Sequence, residues 1–451
     1  MRIGATAIAV VLGIALIACG APASAVEPPQ VVVGAAPPDE TPGPEIPTKQ
    51  DKGCLAAGVL KDSDLSRVPP PELMLDLPRA RALSRGAGVS VAVIDTGVTP
   101  SSRLPGLVGG GDYVAAGGDG LSDCDAHGTL VAGIISAASD PTDAFVGVAP
   151  DARIISIRFR SGAFNLDNPG KDAPDQTVLD LRALSRAIVH AANLGAEVIT
   201  VSVPICIKVG SPIDQSIISA AIGYAVHVRG ALIVAGAGNT TATGCEQNPD
   251  IDLTRPGDPR NWRDVKTVSV PGWFGSDVLT VGFTTATGTV MSDSLTGPWV
   301  SVGAPGTAIE SLGPGGSGLI NGVGEPGKLV PVGGSSFAAA YASGVAALLR
   351  SRFPNETPAE IMARLTASAH APARGIDNIV GAGLIDPVAA LSYRTPPRPP
   401  TGLYRASALP IPDPPRAKDI RPMATAAAVI LGAIVLGLGV GYASSAGRRR
   451  R

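Results

Sequence analysis

Three side chains stand in settings where an acid, an imidazole and a hydroxyl could act together. Asp95 ends an apolar run in Val93-Ile94-Asp95-Thr96-Gly97, His127 stands in Asp125-Ala126-His127-Gly128-Thr129, and Ser336 in Gly333-Gly334-Ser335-Ser336-Phe337-Ala338. Hydrolysis of an amide needs a nucleophile, a base to take its proton, and a carboxylate that holds the base in the right tautomer. A serine hydroxyl is too weak alone. Imidazole, with an ordinary pKa of about 6.5, accepts and returns a proton near neutrality. A serine that opens a helix also gains free backbone N–H groups beside a developing oxyanion. Taken singly, each residue has a plainer role: Asp95 as a strand-end cap, His127 as a helix-start residue, Ser336 as an N-cap, and Asn239 as a turn residue. Their order and settings together favour the chemistry. The other histidines, His190, His227 and His370, have no such setting and read as surface or partly buried residues.

The elements that must position these groups alternate. The pattern predicts strands over Val89–Ile94, Arg153–Phe159, Val198–Val203, Ala231–Ala235 and Val278–Phe283. It predicts helices over His127–Ala138, Leu181–Asn193, Ile217–Val228 and Ser336–Arg350. Continuous apolar strands separated by helices imply an α/β fold: a mostly parallel, twisted sheet covered by helices on both faces. Ligands of such sheets sit at the carboxyl ends of the strands, where Asp95, Ser202 and Asn239 fall. The Gly-, Pro-, Asp- and Asn-rich stretch from Ser161 to Gln176 reads as an inserted loop near that rim.

The ends and the composition set the compartment. The chain has 451 residues, a net charge of −2 and no long charged block in its interior. That excludes the basic face a nucleic-acid partner needs. Arg2, the apolar run Ala5–Ala18 and Ala23-Ser24-Ala25 read as a signal peptide over 1–25. Leu16-Ile17-Ala18-Cys19 offers the alternative of lipidation at Cys19. A proline-dense extension covers 26–72, the compact body 73–393, and a second proline-dense linker 394–423. Residues 424–443 are long and uncharged enough for a membrane helix, and a basic tail over 444–451 marks the cytoplasmic side. The body is thereby expected outside a cell membrane. Once the signal is gone, Cys54, Cys124, Cys206 and Cys245 form an even set suited to an oxidising compartment, with three connectivities open. No C-x-x-C or close His pair is present, so neither a metal nor a cofactor is expected.

The order Asp, His, Ser is that of the subtilisin class. With Gly147-Val148-Ala149-Pro150 and Val234-Ala235-Gly236-Ala237-Gly238-Asn239, the triad motifs resemble the subtilases, serine peptidase family S8, from about Val89 to Asp386. The resemblance implies a subtilisin-like fold, an oxyanion-stabilising role for Asn239, and substrate pairing beside Ser202 and Val203, where Pro204 limits the pairing. Two departures are Ser335 where a threonine is usual and Ala340 where a proline is usual; Ser335 is formally a rival nucleophile. Asp123-Cys124-Asp125-Ala126-His127-Gly128-Thr129, the nucleophile block through Leu349, the arm, the stalk and the anchor are similar to the mycosins. These are membrane-bound subtilases of mycobacterial type VII secretion systems, in which the alanine at that helix position is ordinary. This resemblance implies exported protein substrates, partners among the membrane components of the secretion complex, and the pairs Cys54–Cys124 and Cys206–Cys245. It equally implies an alternative role as a structural subunit with proteolysis secondary.

Overall fold

The computed structural model describes residues 26–35, 37–170, 173–316, 318–393 and 421–448, with side chains of the last segment described for 425–441. The expected signal peptide with Cys19, nearly all of the linker and the last three arginines lie outside the described residues. The described residues up to Tyr393 form one compact unit, and those from Arg421 belong to a second.

The first unit is built on a seven-stranded sheet. Its strands, numbered within the sheet, are β1 (Ser90–Asp95), β2 (Val108–Asp112), β3 (Arg153–Arg158), β4 (Val198–Val201), β5 (Leu232–Gly236), β6 (Val278–Thr284) and β7 (Val302–Pro305). They lie in the order β7-β6-β5-β4-β1-β3-β2, and every pairing is parallel. Four helices cover it: α1 (His127–Ser136), α2 (Gln176–Asn193), α3 (Ser216–Gly223) and α4 (Ser335–Arg352).

Both faces of the sheet are buried because both sets of alternate residues are apolar. Val91, Val93, Val198, Leu232, Val234, Leu279 and Val281 pack with Leu130 and Ile134 of α1 and Phe337 and Val345 of α4. Ala92, Ile94, Ile199, Val201, Ile233 and Ala235 pack with Leu181, Leu184 and Ile188 of α2 and Ile218 and Ile222 of α3. The period of two along each strand thus sorts the core into two layers. Fully burying one such side chain is worth about 1.5–3 kcal/mol, so these two layers hold the strand ends in place. Chain progression reverses across β1. From β1 the chain runs toward β2 and β3 on one side, and from β4 toward β5, β6 and β7 on the other. The carboxyl ends of β1 and β4 therefore flank a topological switch point, the place where such sheets open a crevice.

Some expectations change. The fourth strand stops at Val201, so Ser202 and Val203 lie in the loop beyond it. The helix expected to continue to Val228 widens after Gly223 into a π-helical turn, Tyr224–Val228. The extension packs against the body. The short helix Pro70–Met74 straddles the boundary at 72, and the arm supplies strands Thr48–Gln50 and Ala56–Gly58. The first pairs with Phe164–Leu166 of the inserted loop, the second with Gly322–Glu325. Farther out, Ser219 Oγ accepts from Val32 N and donates to Gln30 O, and Arg186 donates to Gly43 O. The loop expected over Ser161–Gln176 is thereby ordered in part by the arm.

The second unit contains a helix, Arg421–Arg448. The side chains of Val429, Leu431, Val435, Leu436 and Leu438 are exposed along it. Among the described residues no helix is long and apolar enough to cross a membrane; the expected span, 424–443, runs past both ends of the side chains described there, 425–441.

Candidate active site

Asp95 is the last residue of β1 and is fully buried. Its carboxylate faces three donors. His127 Nδ1 lies 2.8 Å from Oδ1 and 3.0 Å from Oδ2, Thr96 N donates to Oδ1 at 2.6 Å, and Ser202 Oγ donates to Oδ2. Burial acts against the charge of Asp95, but His127, Ser202 and Thr96 outweigh it and hold the carboxyl below its usual range. For His127, burial alone lowers the pKa; the Asp95 charge and hydrogen bond, with Asp123 and Asp125 behind, override it and raise the imidazole. A carboxylate on Nδ1 fixes the tautomer that leaves Nε2 as the acceptor.

His127 opens α1 after Ala126, which sits in the left-handed region at φ 63°. The helix start is pressed onto the Asp95 turn: a Cβ at Gly128 would meet Gly97 O at 2.1 Å, so only glycine permits the approach. Asp123 ties the two segments together. Its carboxylate accepts from Thr96 Oγ1 at 2.8 Å, Thr129 N at 2.9 Å, Thr129 Oγ1 at 2.6 Å and Asp125 N at 3.1 Å, and Thr96 Oγ1 accepts from Gly128 N at 2.9 Å. Burial raises the Asp123 pKa to about 6, against the lowering by Thr129 and Thr96, with Asp95 adding to the rise. The sequence reading missed Asp123, Thr96 and Thr129. The available signal was a second carboxylate four residues before the histidine.

Ser335 and Ser336 begin α4 and are separated by their surroundings. Ser335 is fully buried, with Oγ accepting from Gly238 N at 3.0 Å and its own N–H donating to Asn239 Oδ1 at 2.9 Å. That second bond orients the Asn239 amide, leaving Nδ2 as its donor. Ser336 lines the cleft beside Asn239 and His127, and the ring of the next residue, Phe337, packs 5.1 Å from the His127 imidazole. Gly334, at φ 142°, permits this because a Cβ there would lie 2.8 Å from Asn239 Nδ2. First-turn amides of a helix lack intrahelical partners, so the start of α4 brings donors to the part of the cleft that Ser336 and Asn239 line.

Ser202 and Val203 both line the cleft, but the Ser202 side chain is committed to Asp95, leaving its backbone for any peptide partner. The remaining histidines do have carboxylate partners: His190 with Asp39 at 2.9 Å, His227 with Asp277 at 2.6 Å and His370 with Asp386 at 3.2 Å. His127 is set apart by the serine and the amide across its cleft. The structure pairs Cys54 with Cys124 and Cys206 with Cys245, placing one bridge three residues before His127 and the other six residues after Asn239. Among the described residues no group of acidic, histidine or cysteine side chains could hold a metal ion.

Comparison with known proteins fits this geometry. The family profile described as peptidase S8, subtilase family, matches residues 86–383. Mycosin-1 of Mycolicibacterium smegmatis is 46% identical over 95% of this chain and 96% of its own length. A structure described as the serine protease MycP1, an essential component of the type VII (ESX-1) secretion system, is 49% identical. It superposes with a TM-score of 0.79, covering 82% of this chain and 100% of that one. A chain in the structure of an intact ESX-5 inner membrane complex is 46% identical with a TM-score of 0.80, covering 93% of this chain and all of its own. This chain therefore belongs to the subtilase family, and within it to the mycosins, the subtilisin-like proteases of type VII secretion.

Proposed function

We propose that this protein is a serine endopeptidase in which Ser336 is the nucleophile, His127 the general base and acid, and Asp95 the residue that orients it. Ser336 Oγ attacks the carbonyl carbon of a peptide bond while His127 Nε2 takes its proton. The resulting oxyanion is met by Asn239 Nδ2 and the backbone N–H of Ser336. Collapse breaks the C–N bond, with His127 returning the proton to the leaving amine, and water then cleaves the acyl-enzyme by the same route. The observation that carries this reading is the Asp95–His127 pair opening onto the same cleft as Ser336 and Asn239. An amide donor at such a position is worth about 3–4 kcal/mol of barrier.

The expected substrates are exported proteins, and the expected setting is a single-pass anchor through residues 424–443 with the body outside. Support comes from the apolar C-terminal sequence with its terminal arginines, and from four cysteines joined in two bridges. A second reading, a structural subunit of a membrane secretion complex, is favoured by the likeness to a chain of the ESX-5 inner membrane complex. Ser336→Ala tests both. Peptide hydrolysis should fall by about 10³-fold or more, and labelling by a serine-directed phosphonate should vanish, while Ser335→Ala keeps the label on Ser336. Label that follows Ser335 would sink the assignment. Secretion supported fully by Ser336→Ala would make the structural role primary.

A further inference from the structure

We propose that a small cavity beyond Asn239 is a substrate subsite on the amine side of the bond being cut, and that Asp293 makes it select a cationic side chain. This subsite rests on the peptidase reading above. The cavity, of about 290 Å³, is lined by Thr241, Phe283, Met291, Asp293, Thr307 and Ala308. It meets the catalytic cleft along Asn239 and residues 331–333, which line both. Whole small-ligand sites measure about 300–1,000 Å³, so this space suits one long side chain rather than a separate molecule.

Strand order decides which half of a substrate reaches it. In the sheet, β5 lies between β4 and β6. Acyl-side pairing is expected at Ser202 and Val203, just past the end of β4. A peptide that crosses Ser336 therefore leaves over Asn239, past the end of β5, toward the ends of β6 and β7. Phe283, Thr307 and Ala308 stand there. Backbone hydrogen bonds fix the walls: Thr240 N donates to Asp293 O at 2.9 Å, Leu295 N to Gly238 O at 3.0 Å, and Gly334 N to Gly306 O at 2.8 Å. The first two hold the Asp293 segment beside Asn239, and the third fastens the 306–308 bend to the glycines before the nucleophile. Ala308 is kept at φ 52°, a strained conformation of the kind that clusters at working sites.

Asp293 is the one charged residue that lines this cavity. It is exposed, it has no ion pair among the described residues, and its side-chain hydrogen bond from Ser292 Oγ is long at 3.5 Å. Carboxylates around the main cleft are committed instead. Glu45 pairs with Arg182 at 3.2 Å, Asp180 with Arg160, and Asp125 accepts from Ser161 Oγ at 2.6 Å and Gly162 N at 2.8 Å. The hydroxyls of Thr241 and Thr307 add acceptors in the same space as Asp293. A guanidinium or ammonium there meets opposite charge and acceptors, whereas a carboxylate meets a like charge. An exposed ion pair is worth at most about fivefold in affinity, and a like charge costs a similar factor.

The test uses the full-length protein and internally quenched decapeptides with a constant acyl side, carrying arginine or glutamate at one position at a time on the amine side. At one position arginine should exceed glutamate in kcat/KM by about tenfold, mainly through KM. Raising salt from about 0.05 M to about 0.5 M should shrink that ratio, because exposed charges are screened. Asp293→Asn should bring the ratio close to one, and Asp293→Lys should invert it. Both peptides are read on one preparation, so a loss of folded protein does not move the ratio. No charge preference at any amine-side position would overturn the subsite, as would a preference that survives Asp293→Asn or ignores salt. Fluorescence anisotropy of the same peptides on Ser336→Ala separates the two levels. Arginine-over-glutamate binding that depends on Asp293, beside a wild type that cuts nothing, keeps the subsite and sinks the peptidase assignment.

Discussion

At the scale of single residues, the site is a set of hydrogen bonds whose strength depends on charge. On the proposed mechanism activity requires neutral His127, and Asp95 together with Asp123 and Asp125 raises its pKa against burial. The acid limb of kcat/KM should therefore lie above the ordinary imidazole value of about 6.5, with activity lost as pH falls through it. A profile flat from pH 5 to 8 would exclude a histidine base. On the same reading Asp123 positions His127, with a distinct signature. Asparagine there turns an acceptor oxygen into a donor facing donors, so Asp123→Asn should lower kcat about tenfold or more and leave KM nearly unchanged. It should also move the acid limb downward, because a negative charge behind His127 is gone; a merely loosened fold would leave the limb in place. The order Asp, His, Ser and the settings of the three residues were legible in the sequence because each motif is local. Asp123 and the Ser202–Asp95 bond were not, since both depend on which strand ends become neighbours.

At the scale of elements, apolar runs of the strands and the 3.6-residue spacing of α2 announced themselves, while three-residue strands in the arm and the inserted loop did not. Thr48–Gln50, Phe164–Leu166 and Ala56–Gly58 have no periodicity of their own and exist only through their partners. Another feature hidden in the sequence is Glu310, at the head of the Ser311–Leu312 strand, which is 8% exposed. Its Oε1 has no partner among the described residues. Burial first, then the charges of Asp143, Glu72 and Asp64, push its pKa up to about 7 from 4.5. The folded state thus holds a proton that the unfolded chain releases between those values, so stability falls as pH rises through this window and the cost is complete above it. Glu310→Gln should stabilise the protein by about 1–3 kcal/mol at pH 8 and change little near pH 4.5. Thermal melts at the two pH values check it, and equal shifts at both would contradict the assignment.

At the scale of the whole molecule, the arm is the least separable part of what the sequence presented as an appendage. Its proline density reads as an extended chain, and composition alone does not name the helices along which that chain lies. It runs along α3 at Val32 and α2 at Asp39 and Gly43, then reaches the cleft, tied by hydrogen bonds and one disulfide. The bridge closes a loop of 70 residues, a constraint worth about 4 kcal/mol on chain-entropy grounds. Removing 26–60 should therefore lower the melting temperature by several degrees or more without raising turnover of short peptides. A large gain in turnover at unchanged stability would mark the arm as an inhibitor. The order of the strands in the sheet, by contrast, was beyond the sequence reading, because β-branched runs specify that a strand is buried and not which strand it adjoins.

The two cystine bridges also set a timetable. The ring closed by Cys206 and Cys245 carries Asn239, and the one closed by Cys54 and Cys124 ends just before His127. Neither crosslink persists in the reducing environment where a polypeptide is made. On the proposed topology, the rims on both sides of the catalytic cleft are fastened only after the body has left the cytoplasm. Synthesis of the chain and fastening of its cleft are then separated in space.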